Sequence, residues 1–183
     1  AAFLGRRAGL AGGGTAGPRP EGISEVLYQI QKFHAFLWAS GGVFSDYYIH
    51  QLDECSWMKN AWPVEAMALC GRHYRGDSLD QNFDVYSVQY TYADGTRLFY
   101  EGRNMPGVHT EFASYAHGAR GSAVITTRAH TPGQVRIYKG QRMPRILTPK
   151  DAIDMKDPDR AWAYPQPEAN PYQLEWDDLI AAI

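Results

Sequence analysis

Only two cysteines, Cys55 and Cys70, occur among the 183 residues. Two thiols with no CxxC partner cannot build a disulfide framework, and both read as free core thiols. Long apolar runs are also missing, so no segment is a candidate to cross a bilayer. Charge of one sign does not accumulate either. The net charge is −2 and no local basic run offsets it, which argues against a nucleic-acid surface. There is no P-loop and no internal repeat. The glycine-rich stretch "AGGGTAGPRPEG" of residues 11–22 does place Gly12, Gly14 and Gly17 in a G-x-G-x-x-G spacing. That spacing grips a dinucleotide only between a buried strand and the start of a helix. Here "RRAGLA" comes before it and Pro18 and Pro20 follow, so the stretch reads as a flexible loop. "GRRAGLAGG" has paired arginines ahead of small residues, but its Gly/Ala segment makes a poor export signal. Location therefore stays open between the cytoplasm and export.

Aromatic rings, by contrast, are plentiful, with 12 tyrosines and five tryptophans. Such amphipathic rings suit a sheet face, an interface or a carbohydrate pocket. Hydrophobic residues at 44% and charged residues at 21% are ordinary for a globular chain. The length fits a single domain over 1–183 with a real core. The sequence opens at Ala1-Ala2-Phe3 and closes on "DDLIAAI" in mid-helix pattern, so it reads as a piece of a longer protein.

The local patterns divide the chain into helices, then strands, then a helix. Residues 1–10 suit an edge strand. Val26, Ile30, Phe33 and Leu37 recur at helical spacing, which predicts a helix over Ile23–Trp38 with Ser24 as its N-cap. Gly41-Gly42 ends it, and a second helix is predicted over Phe44–Lys59. "VEAMALCGRHY" follows as an apolar strand. "DVYSVQYTY" alternates with period two, Asp94-Gly95 marks a tight turn, and "TRLFYEGR" returns as the hairpin partner. "EFASYAHG", "GSAVITT" and "QVRIYKG" add three short strands. Residues 139–171 read as a long irregular arm, and "NPYQLEWDDLIAAI" as a closing helix. The expected class is α+β: an open, mainly antiparallel mixed β-sheet with helices packed on one face.

The segment "SGGVFSDYYIHQLDECSW" carries the most chemistry. Asp46, His50 and Asp53 follow one another at spacings of four and three. On a regular helix of about 100° per residue they share one side, while Phe44, Tyr48, Leu52 and Cys55 gather on the other. Ile49 and Trp57 flank the polar stripe and imply that something covers it. Three readings are open from the residues alone. The stripe is a solvated face. Alternatively, His50 is a general base tuned by a carboxylate one turn away, since an imidazole titrates near working pH. Or it is a metal site, which would need ligands from other segments. They rank in that order, and no metal is assigned.

"SGGVFSDYYIHQLDECSWMKNAWPVEAMALCGRHYRG", continued by "DQNFDVYSVQYTYADGTRLFYEGR", resembles the C-terminal domain of the Gfo/Idh/MocA oxidoreductase family, most closely its inositol 2-dehydrogenase-like branch. The resemblance covers roughly Ser24 to Thr127. It rests on Gly-Gly before a helix, D-x-x-x-H-x-x-D on it, a tryptophan soon after, and Gly-Arg in the first sheet strand. It implies a two-domain dehydrogenase whose N-terminal Rossmann domain, absent from this chain, binds NAD or NADP. Hydride then moves between nicotinamide and a carbon of a sugar or cyclic polyol. Asp46 and His50, with a lysine from the Rossmann domain, would form the catalytic group, and the isolated chain would be inactive. With a cleft to face, the stripe is read as acid/base machinery. Tyr47 and Trp38 become candidates to line a sugar pocket, Arg72 and His73 to reach the cleft, and His109 in "RNMPGVHTEF" to cover it; a structural role is the alternative for each. Homo-oligomers are implied through the β-sheet face. The Tyr86, Tyr90 and Tyr92 side is either that contact or the face buried under the helices. Two other functions stay open: NAD-assisted glycoside cleavage, and a non-catalytic sugar-binding or assembly module.

Overall fold

The computed structural model describes residues 2–8, 16–105, 107–108, 111–127, 133–144, 154 and 156–183, with residues 2–8 described by their backbone. Eight strands are present among the described residues: β1 (Ala2–Ala8), β2 (Glu65–Gly71), β3 (Val85–Thr91), β4 (Arg97–Arg103), β5 (Phe112–His117), β6 (Gly121–Thr126), β7 (Arg136–Lys139) and β8 (Arg160–Ala163). They form one sheet in the order β2-β3-β4-β1-β5-β6-β7-β8. β1 runs parallel to β4, and the other neighbours are antiparallel. The fold is thus α+β with a mainly antiparallel mixed sheet, as the sequence predicts.

Period-two alternation builds the helix-covered face. Tyr86, Val88 and Tyr90 of β3 and Leu98 and Tyr100 of β4 are buried, while Ser87, Arg97, Phe99 and Glu101 point outward. The tyrosine side is therefore the core under the helices, which closes the interface alternative for Tyr86, Tyr90 and Tyr92. Val43, Tyr48 and Cys55 pack onto it from above, with Phe44, Tyr47 and Leu52 at the margin. The buried side of the second helix is the one its apolar spacing predicts.

Four expectations are corrected. The strand at the start of the chain is interior, not an edge, because its backbone pairs with β4 on one side and β5 on the other. The arm at 139–171 contains β8, which pairs with β7. Cys70 is an exposed thiol on the edge strand β2, whereas Cys55 is a buried one as expected. Finally, the first helix is broken into α1 (Glu25–Gln31), a 3₁₀ turn (Phe33–Ala35) and α2 (Leu37–Ser40). Its predicted apolar stripe faces outward: Val26, Ile30, Phe33 and Leu37 are all exposed, and Tyr28, Ala35 and Phe36 are buried instead.

Two caps agree with the sequence. Ser24 Oγ accepts from Leu27 N at 3.3 Å, and Gly41 ends α2 with φ of 70°. The closing helix α4 (Pro171–Ala181) is capped by Asn170, and none of its residues is buried. Among the described residues no helix is long and apolar enough to cross a membrane.

Candidate active site

The break in the first helix has a tertiary cause. Phe36 is extended, with φ −120° and ψ 124°. The loop between β2 and β3 takes over the hydrogen bonds that the helix gives up. Gln81 N donates to the carbonyl of Ala35 at 2.8 Å, and Gln81 Oε1 accepts from Leu37 N at 2.7 Å. Asn82 Nδ2 donates to the carbonyl of His34 at 2.8 Å, and Asn82 Oδ1 accepts from Val43 N at 2.8 Å. One buried asparagine thus holds both the turn that carries His34 and the start of the next helix.

That helix is not a regular α-helix near its start. Phe44–Tyr48 form a π turn, and α3 (Ile49–Lys59) continues from it. A π turn uses one more residue than an α turn, and such turns occur often at functional sites. The extra residue rotates what precedes it by about 100° from regular-helix phase. The wheel that aligned Asp46 with His50 and Asp53 assumed an unbroken α-helix, so the π turn alters that alignment. Asp46 lies inside the turn and meets a residue from another segment: His34 Nδ1 is 2.6 Å from Asp46 Oδ2. The two side chains are 33% and 29% exposed, while the contacting atoms themselves are buried and have no other partner. A ring nitrogen and a carboxylate oxygen this close need a proton between them, because two lone pairs would repel. On the far side of the ring, Tyr47 Oη lies 3.2 Å from His34 Nε2. Phe33 stacks on the imidazole with ring centroids 3.8 Å apart.

The loop that supplies Gln81 and Asn82 is held by buried ion pairs. Arg75 lies buried with Nη1 2.6 Å from Asp80 Oδ1 and Nε 2.7 Å from Asp84 Oδ1. Asp84 Oδ2 accepts from the backbone N–H groups of His73, Tyr74 and Arg75. Burial raises the Asp84 pKa, but those three donors and the Arg75 charge outweigh it and hold the carboxyl below its ordinary value. Asp80 Oδ1 also accepts from Asn82 N at 3.1 Å.

The candidates from sequence fall as follows. Asp46 and Tyr47 are brought together with His34. His50 is half-buried on the first turn of α3. Arg72 donates to the carbonyls of Asp80, Asn82 and Ser78, so its guanidinium braces the loop. The His73 side chain is exposed. Trp38 is 61% exposed, and its indole N–H donates to Gln29 Oε1. His109, Gly12 and Gly14 lie outside the described residues. Sequence reasoning missed His34 and Asn82, since neither has a motif and only the fold brings His34 to Asp46 and Asn82 to the His34 carbonyl. Further along α3, one turn after His50, Glu54 is buried, with Oε2 accepting from Ser114 Oγ at 2.9 Å. Burial pushes its pKa up to about 7, Ser114 works against that, and the Asp53 charge adds to it.

No family model matches the sequence, and no curated protein matches it. Solved structures do. UDP-N-acetylglucosamine 3-dehydrogenase from Acidithiobacillus ferrooxidans superposes with a TM-score of 0.57 at 13% identity, over 99% of this chain and 45% of that one. Aldose-aldose oxidoreductase from Caulobacter crescentus gives 0.55 at 16% identity, over 82% and 40%. An NAD-binding protein from Listeria innocua gives 0.50 at 16% identity, over 100% and 45%. The chain therefore spans less than half the length of each of these structures. At such identities the likeness establishes a shared fold.

Proposed function

We propose that this chain is the substrate-facing domain of an NAD(P)-dependent oxidoreductase of the Gfo/Idh/MocA type, acting on a sugar or a cyclic polyol such as an inositol. The observation that carries the reading is Asp46. Its carboxylate sits on a π turn, is fixed through one oxygen against His34, and lies one turn before the half-buried His50. The shared fold with a sugar-nucleotide dehydrogenase and an aldose oxidoreductase supports the same reading.

The described residues that follow Gly17 do not fit the diphosphate of a dinucleotide. After Gly17 the chain is irregular up to Ser24, and α1 begins only at Glu25, so no strand-to-helix cradle forms there. The reading therefore assigns the cofactor to a Rossmann domain outside this chain. What this chain supplies is proton chemistry and orientation. His50 takes a proton from, or returns one to, the substrate hydroxyl. Asp46 accepts a hydrogen bond that orients that hydroxyl. Tyr47 and Trp38 are proposed at the pocket edge, with Arg72, His73 and His109 as further contacts. The outward face of β3 and β4, with Ser87, Arg97, Phe99 and Glu101 exposed, is proposed as the homo-oligomer contact.

The test is turnover by the longest natural polypeptide that contains this chain, supplied with NAD or NADP and a panel of sugars and cyclic polyols. Substrate-dependent reduction of the cofactor is expected. His50→Ala should cripple turnover and leave cofactor binding nearly intact. Full activity in His50→Ala overturns the role given to His50. Sugar release without net reduced cofactor points instead to redox-assisted glycoside cleavage.

A further inference from the structure

We propose that His34, held by Asn82, is a positioning residue for Asp46; this rests on the function proposed above. Three observations converge. First, the contact is exclusive. His34 Nδ1 and Asp46 Oδ2 are buried 2.6 Å apart, and neither atom has another partner. A buried carboxylate oxygen left unmatched is costly, so the imidazole fixes how the carboxyl is turned. Second, the carboxylate sets the tautomer. The carboxylate can only accept, so Nδ1 carries the hydrogen, and Nε2 is left to accept from Tyr47 Oη at 3.2 Å. Third, the backbone on both sides is clamped by one side chain. Asn82 is 1% exposed and bonds the His34 carbonyl and the Val43 amide at 2.8 Å each.

With Oδ2 committed to His34, the other carboxylate oxygen has no hydrogen-bond partner among the described residues. His34 thus orients Asp46 with one oxygen for the fold and one for a hydroxyl. The sequence hides this arrangement. His34 stands before the Gly41-Gly42 turn and outside the D-x-x-x-H segment, and only the helix break brings it back.

The experiment has two arms. In this chain alone, ¹⁵N NMR of the histidine rings should show His34 as the Nδ1–H form, and Asp46→Asn should change its ring shifts. An Nε2–H ring, or a spectrum indifferent to Asp46→Asn, overturns the proposal. In the longest natural polypeptide, His34→Ala should lower kcat on the order of tenfold to a hundredfold, the scale expected when a reacting group is misplaced. KM for the cofactor should hold. His34→Asn puts an amide N–H close to the place of Nδ1 and should recover most of that loss. Equal kcat in His34→Ala and wild type overturns the proposal, as does His34→Asn no better than His34→Ala. If the wild-type polypeptide turns nothing over, the function proposed above fails. The NMR arm still decides whether His34 sets Asp46.

Discussion

The ring of Tyr48 fills the space that a side chain at position 102 would need. A Cβ built on Gly102 would lie 2.6 Å from Tyr48 Cε2. Tyr48 cannot step aside easily, because it is 1% exposed and its ring meets those of Phe44, Tyr86 and Tyr100 at centroid distances of 6.2, 5.2 and 5.6 Å. It is also the last residue of the π turn, two positions after Asp46. Gly102→Ala should therefore cost about 1–3 kcal/mol, the range for overpacking a dense core. Chemical denaturation reads this. In a Tyr48→Ala background the added cost of Gly102→Ala should vanish; an equal cost in both backgrounds removes Tyr48 as the cause.

Asn82→Ala should destabilise by roughly 2–4 kcal/mol, since it strands a half-buried carbonyl at His34 and a buried amide at Val43. The effect should be local first. Hydrogen exchange at the Val43 amide should quicken far more than at Tyr100 in the middle of the sheet. Uniform quickening would show that Asn82 supports the fold in general and not the joint between the two helices.

Glu54 sets a pH dependence of stability. Its folded pKa stands at about 7, above the ordinary 4.5, chiefly through burial. The folded state then holds the proton more tightly than the unfolded one. The contribution is full below pH 4.5 and is lost as pH rises through about 7. Denaturation at pH 5 and pH 8 should show wild type losing up to about 3 kcal/mol relative to Glu54→Gln, a ceiling set by the size of the shift. Glutamine keeps an acceptor for Ser114. A loss of the same size in Glu54→Gln assigns the slope to another group.

The two thiols should separate in reactivity. Burial pushes the Cys55 thiol up to about 12, the Glu54 charge adds to that, and Ser114 opposes it. Cys70 is exposed on β2. A thiol reagent should label Cys70 in the native protein and Cys55 at least about 100-fold more slowly, because the thiolate is the reacting form. Cys70→Ser should abolish the fast phase. Prompt labelling of Cys55 would mean that α3 opens readily from the sheet.

What could be read in advance was local. The β3–β4 hairpin follows from period-two alternation around Asp94-Gly95, and Ser24 and Gly41 act where their chemistry places them. Phe44, Tyr48, Leu52 and Cys55 share a face because a hydrophobic side must be buried. The failures share one cause, which is that a distant segment decided the outcome. The helix over Ile23–Trp38 breaks because Gln81 and Asn82 compete for its backbone groups. The stripe Val26, Ile30, Phe33 and Leu37 keeps helical spacing, yet faces away from the sheet. Nothing in "FSDYY" announces a π turn, and no spacing links His34 to Asp46. The proposed site residues in "SDYYIH" stand out by residue type and spacing, whereas His34 comes beside Asp46 only through the fold.

The interior place of β1 has a consequence for assembly. On one side of it, β2, β3 and β4 follow one another in sequence; on the other, β5 to β8 do the same. Each group is a meander that can form from neighbouring residues. β1 comes from the start of the chain and, among the described residues, is the only strand hydrogen-bonded to both. It works as the clasp between two halves that could each zip up early, and closing it waits on the least local contacts in the sheet. The halves should behave like a split protein, in which a peptide of sequence AFLGRRA added to a chain lacking those residues restores one continuous sheet.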